Sequence, residues 1–205
     1  MTAGIGIALL RHGPTEWTAA RRLQGRTDVP LSPEGRAVVA RWRLPRIDGL
    51  DWSGWSWRTS PLLRCRETAA IMLRSMGLPG AETDDRLIER GFGDWEGETL
   101  AGLRERYGPD MAEWEAQGWD FRPPGGESPR DVLQRSMGLL QEMLQHGRSM
   151  IAVTHRSVIR AIHARACGWD MLGRPPVKLA DGCLHLFRLD ATGPAVERLN
   201  LPLTP

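Results

Sequence analysis

Ile5-Gly6-Ile7-Ala8-Leu9-Leu10-Arg11-His12-Gly13-Pro14 and, far downstream, Met150-Ile151-Ala152-Val153-Thr154-His155-Arg156 share one pattern, a short apolar run that stops at a histidine beside an arginine. A run without polar alternation is what a strand buried on both faces requires. Open α/β sheets hold their ligands just past the carboxyl ends of such strands. If the two strands are neighbours, the imidazoles of His12 and His155 face one another. One such histidine would read as the end of a strand; two in the same setting point to a site.

The segments between them alternate helix and strand. Ser32-Pro33-Glu34 supplies an N-cap, a proline for the first helical position and an acid for the first turn, which predicts a helix to about Leu44, before Pro45. Trp55 to Thr59 has period two and predicts a strand, and Ser60-Pro61 opens a helix over about Leu62 to Met76 that Gly77 stops. Ala81 to Leu87 reads as extended, Thr99 to Gly118 as one or two surface helices broken at Gly108-Pro109, and Pro123 to Gly126 as a loop. Ser128 with Asp131 three residues later starts a long helix that ends at His146-Gly147. Arg156 to Cys167 predicts another helix, with Val158, Ile159 and Ile162 inward, and Cys183 to Leu189 and Ala195 to Leu199 predict two strands, the last at an edge. The alternation implies an α/β three-layer sandwich with a largely parallel central sheet.

Composition narrows the function. The chain has 205 residues, 41% hydrophobic and 25% charged, which suits a single domain over 1–205 and argues against a disordered or fibrous chain. No apolar run approaches the roughly 20 residues of a bilayer span, and the apolar N-terminus lacks the basic start of a signal peptide. A net charge of +2 is not that of a dedicated nucleic-acid binder. Lys178 is the one lysine among 27 basic residues, so an arginine counts as a signal only in a special context. Cys65, Cys167 and Cys183 are odd in number and widely spaced, which suggests neither a disulfide framework nor a zinc ribbon and implies a reducing, cytoplasmic compartment. No H-x-x-H, H-E-x-x-H or acidic cluster has metal spacing, so neither a metal nor another cofactor is expected.

Arg64 is such a context. It falls on the first turn of the helix after the second strand, where free N–H groups and the helix dipole favour an anion, and a guanidinium there can hold two phosphate oxygens at once. Arg66 reads as a surface residue. In Glu89-Arg90-Gly91-Phe92-Gly93-Asp94-Trp95-Glu96-Gly97-Glu98, four acids compete for a role and composition does not choose among them. His163 and His185 read as packing or surface residues, and the Trp52 to Trp57 stretch as core or interface area.

Leu10-Arg11-His12-Gly13 with Thr15 and Trp17, Gln24-Gly25 to Leu31-Ser32, Ser60 to Ala69, Glu89 to Gly97, Gly126-Glu127-Ser128 and Thr154-His155 to Arg160 together resemble the histidine phosphatase superfamily, also called phosphoglycerate mutase-like, over about residues 5–165. The resemblance implies that fold, with a helical specificity insertion at about 99–125. It implies His12 as the nucleophile that becomes phosphohistidine, Arg11, Arg64 and His155 as the phosphoryl pocket, and Glu89 as the proton donor. Thr15, Thr18, Gln24 and Gly25 fall on its substrate-binding stretch. Two departures stand out: Thr18 where many members carry Asn, and Arg156 where Gly often follows the second histidine. Mutases of the family carry a longer insertion before the Glu-Ser that precedes the long helix, whereas Pro123 to Ser128 is contiguous here. A metal-independent phosphatase acting on a small phosphorylated metabolite is therefore expected, ahead of a mutase or a non-catalytic phospho-ligand binder, with no nucleic-acid or membrane partner. Whether the chain forms a homo-oligomer stays open.

Overall fold

The computed structural model describes residues 4–203. In chain order its elements are β1 (Ile5–Arg11), α1 (Glu16–Ala19), α2 (Pro33–Val39), β2 (Ser56–Thr59), α3 (Leu63–Met76), β3 (Glu82–Thr83), α4 (Leu100–Tyr107), α5 (Pro109–Glu115), α6 (Pro129–Gln145), β4 (Met150–Thr154), α7 (Arg156–Cys167), β5 (Cys183–Asp190) and β6 (Gly193–Pro202). The strands form one sheet in the order β3-β2-β4-β1-β5-β6. The first four run parallel, β5 runs antiparallel to β1, and β6 turns back antiparallel to β5.

β1 and β4 are central neighbours, and their lack of alternation has the expected cause. Ile5, Ile7 and Leu9 of β1, with Met150 and Ala152 of β4, pack against α6 and α7 on one face. Ala8 and Leu10, with Ile151 and Val153, pack against α2 and α3 on the other. All of these residues are buried, so β4 is core throughout and β1 at every position but Gly6 and Arg11, which are half-buried. Truncating one of the leucines to alanine should cost about 2–5 kcal/mol. Trp52, Trp55 and Trp57 lie against the α2/α3 core, and a Cβ at Gly6 would run into the Trp55 ring. The tryptophan cluster is packing.

Two boundaries differ from expectation. α2 ends at Val39 instead of near Leu44, because the chain turns there to bury Trp42 and to donate the Arg43 N–H to the Leu203 carbonyl. Only Glu82–Thr83 of the Ala81 to Leu87 segment pairs as strand; Asp84 then accepts from the Arg86 N–H at 2.9 Å and starts a 3-10 turn over Asp85–Leu87. α4 and α5 break at Gly108 and share a smaller cluster of Trp95, Leu103 and Met111, with Leu23, Phe92 and Phe121 at its border. That cluster borders the cavity at the carboxyl end of the sheet.

Candidate active site

The parallel pairing of β1 with β4 sets Arg11 opposite Thr154, so the next residue of each strand, His12 and His155, comes side by side. Their ring centroids are 5.3 Å apart at 59°. The conditional expectation from sequence is met. The His12 ring lies against its own chain, with Nδ1 2.7 Å from the Gly13 carbonyl oxygen. A carbonyl only accepts, so Nδ1 carries the proton and Nε2 keeps its lone pair. Burial and then the charges of Arg11 and Arg64 hold the His12 pKa well below the usual histidine value. His155 is lowered likewise, by burial, Arg64 and His12 in that order. Both imidazoles are neutral at physiological pH.

Arg64 has no surface exposed to solvent. Its two terminal nitrogens donate to the carbonyls of Thr27 (2.9 Å) and Gly25 (2.7 Å), while Nε is buried without a partner. The guanidinium is thus fixed by the 24–28 loop, and its remaining N–H groups are the ones available to an anion. Arg11 Nε is also buried and unpartnered, while its Nη1 donates to Asp181 at 2.9 Å.

Of the four competing acids, three are accounted for elsewhere. Glu96 accepts from the N–H groups of Arg26, Thr27 and Phe92 and so staples the 24–28 loop. Glu98 pairs with Arg106 at 2.9 Å, and Asp94 is exposed. Glu89 is buried, accepts from the Arg90 N–H at 2.8 Å and lines the same cavity as Arg11 and His12. Glu127 holds this segment in place. It donates its N–H to the Gly91 carbonyl and its carboxylate accepts from the Gly91 N–H at 3.0 Å. Gly126 stands where a Cβ would meet the Gly91 carbonyl at 2.6 Å.

The substrate-side residues divide. Thr18 and Gln24 line the cavity, which measures about 860 Å3. Gln24 Nε2 donates to Thr18 Oγ1 at 3.0 Å, and its Oε1 is buried without a donor. Thr15 and Gly25 do not line this cavity. The Thr15 hydroxyl is taken up as the N-cap of α1, accepting from the Thr18 N–H, and the Gly25 carbonyl by Arg64. Gly25 has φ +51, and a side chain there would collide with the Glu96 carboxylate.

Sequence reasoning missed three neighbours. Ser60 Oγ is 2.7 Å from His155 Nε2, a contact that its place at a helix start does not signal. Cys65 Sγ lies 3.4 Å from the same nitrogen and donates to the Thr154 carbonyl; burial pushes its thiol pKa up, so it stays protonated. Asp181, from the irregular segment before β5, bridges Arg11 and Arg156 at 2.9 and 2.6 Å.

His163 and His185 are buried, as expected of packing residues. Their pKa values are lowered first by burial, that of His185 to about 4. A histidine held neutral in the fold is protonated in the unfolded chain below about pH 6.5, so acid favours unfolding through that window. His185 alone should remove about 2 kcal/mol between pH 7.5 and pH 5, and His12, His155 and His163 act in the same direction. Urea unfolding at the two pH values checks this; equal or greater stability at pH 5 would contradict it.

Among the described residues no helix is long and apolar enough to cross a membrane, and no group of three or more His, Cys, Asp or Glu is arranged to hold a metal. The three cysteines are free.

The chain is 30% identical over 202 residues to the 2,3-bisphosphoglycerate-dependent phosphoglycerate mutase of Azorhizobium caulinodans, a match that covers 95% of this chain and 97% of the relative. Its fold is similar to that of YhfR from Bacillus stearothermophilus, with TM-score 0.79 and 27% identity over 98% of each chain. It is also similar to a mycobacterial glucosyl-3-phosphoglycerate phosphatase, with TM-score 0.75 and 25% identity over 98% of this chain and all of the other. Residues 7–202 match the family model of the histidine phosphatase superfamily, branch 1, and with paired histidines, a buried arginine and one acid gathered at the sheet's carboxyl end, the chain belongs to that superfamily.

Proposed function

We propose that the protein is a metal-independent phosphatase that hydrolyses a small phosphorylated metabolite through a phosphohistidine on His12. The observation that carries this reading is the contact of His12 Nδ1 with the Gly13 carbonyl at 2.7 Å, which puts the ring proton on Nδ1 and leaves Nε2 as a neutral nucleophile close to the charges of Arg11 and Arg64. In the first step the Nε2–P bond forms as the ester P–O bond breaks, and the Glu89 carboxyl gives its proton to the departing oxygen. In the second, water attacks phosphorus, its proton goes to the Glu89 carboxylate, and the Nε2–P bond breaks. Arg11, Arg64 and His155 stabilise the charge spread over the equatorial oxygens, the role a metal ion plays in other phosphoryl-transfer enzymes. Gln24 serves this pocket with its amide reversed, so that its oxygen accepts from Thr18 and its NH2 faces the phosphoryl group.

The segment 99–125 acts as the helical specificity insertion of one domain spanning 1–205, and a reducing, cytoplasmic setting fits the free cysteines. The fold similarity to a mycobacterial phosphatase at 25% identity favours hydrolysis, whereas the contiguous Pro123 to Ser128 stretch does not separate the two readings, since the relative named as a mutase aligns over 97% of its own length. The relative named as a mutase favours positional exchange as the second reading. Purified protein should release inorganic phosphate from p-nitrophenyl phosphate, and EDTA should leave the rate unchanged. Loss of activity in EDTA with recovery on added magnesium or zinc would overturn the mechanism. Exchange of phosphate between two positions of one substrate without release would establish the mutase.

A further inference from the structure

The phosphoryl end is only part of the cavity. Beyond Leu23, Phe92 and Leu100 it continues into a lobe of about 650 Å3, within the roughly 300–1,000 Å3 of small-molecule sites. Phe92, Trp95, Phe121 and Met171 give this lobe an apolar wall, while Arg156 and Arg160 line both the lobe and the phosphoryl end.

The two arginines stand one turn apart on α7, an i,i+4 pair of like charges that repel. Asp181 answers Arg156. For Arg160 no carboxylate does so among the described residues: burial and Arg156 both disfavour its charge, and no acidic group opposes them. The half-buried guanidinium is nevertheless held in place, 5.2 Å over the Trp169 ring, whose own N–H donates to the Leu172 carbonyl at 2.8 Å. An oriented, partly desolvated cation without a counter-charge is preorganised for an anion from outside the chain. A second orphan lies in the same wall: the indole N–H of Trp95 is buried with no acceptor.

We propose that Arg160, assisted by Arg156, binds a second anionic group of the substrate, which makes the substrate class a phosphomonoester with a sizeable, partly apolar body carrying a carboxylate or a further phosphate remote from the scissile ester. The proposal rests on reading the His12 end as the phosphoryl site.

The test is calorimetric binding of non-hydrolysable probes of matched length to the whole protein: alkylphosphonates, ω-phosphonoalkanoates and α,ω-bisphosphonates, each from short to long chains. In wild type the two charged series should bind at least tenfold more tightly than the uncharged series. The advantage should peak at the longer chains and shrink with salt. It should collapse in Arg160→Met, return in part in Arg160→Lys, and fall less in Arg156→Met, since Arg156 already has Asp181. Which charged series gains more tells a carboxylate from a phosphate. Equal binding of charged and uncharged probes overturns the proposal, as does an advantage that survives Arg160→Met or peaks at phosphonoacetate. The wild-type comparison decides the matter even if a variant fails to fold. Hydrolysis of aryl phosphates alongside equal probe binding removes the anion subsite alone, whereas a charged-probe advantage lost in Arg160→Met with no phosphomonoester hydrolysed removes the catalytic reading alone.

Discussion

His12→Ala abolishes turnover, by on the order of 10^4-fold or more, and abolishes the covalent adduct with it. The size follows from what the side chain does. Under the proposed mechanism the ester bond breaks only as a bond to Nε2 forms, and no other unprotonated nitrogen stands in the same position. His155 Nε2 is 2.7 Å from Ser60 Oγ and His155 has no exposed surface. Brief reaction of the wild type with labelled substrate should leave an acid-labile, base-stable phosphate on the protein, mapping to His12. The variant is expected to fold, because the His12 main-chain N–H still donates to the Thr154 carbonyl and the neighbouring strand residues are unaltered. His12→Gln, which keeps a polar group near the Gly13 carbonyl, guards against loss by misfolding. Full activity in either variant, with a native unfolding transition, would end the assignment.

The pairing of His12 with His155 was legible in sequence only as a condition. Burial on both faces writes itself locally, as an apolar run without alternation, so β1 and β4 could be read. Which strands become neighbours is a long-range property with no local signature. By composition Glu89 was one of four equivalent acids for the same reason, and only the family resemblance singled it out: whether a carboxylate staples a loop, as Glu96 does, or reaches a cavity depends on what the fold brings opposite it. Asp181 was invisible, since it sits in a segment without periodicity and matters only because that segment passes Arg11 and Arg156. Thr15 and Gly25 were legible as important positions, but their work is done on the backbone, through a helix cap and through the carbonyl that fixes Arg64.

Glu89→Gln slows transfer from an alkyl phosphate far more than from a nitrophenyl phosphate. An alkoxide is a poor leaving group that needs its proton in the transition state, whereas nitrophenolate departs without one. General acid catalysis contributes typically 10^2–10^4-fold, so a loss of that order is expected for the alkyl ester and a loss of about tenfold or less for the nitrophenyl ester. The amide is the informative change. It keeps the size of the side chain and leaves an oxygen to accept from the Arg90 N–H, as Glu89 Oε1 does at 2.8 Å. The first step must be isolated by a single turnover that follows phosphorylation of His12, because under the proposed mechanism Glu89 also serves the hydrolysis of the adduct and its loss would depress steady-state rates for both esters. The other acids supply the control: Glu96→Gln should lower both reactions together, by loosening the loop whose carbonyls hold Arg64, while Asp94→Asn and Glu98→Gln should change neither by much. Equal losses for the alkyl and nitrophenyl esters in the isolated first step would take Glu89 out of the acid role and leave it as a buried group that only shapes the field around His12.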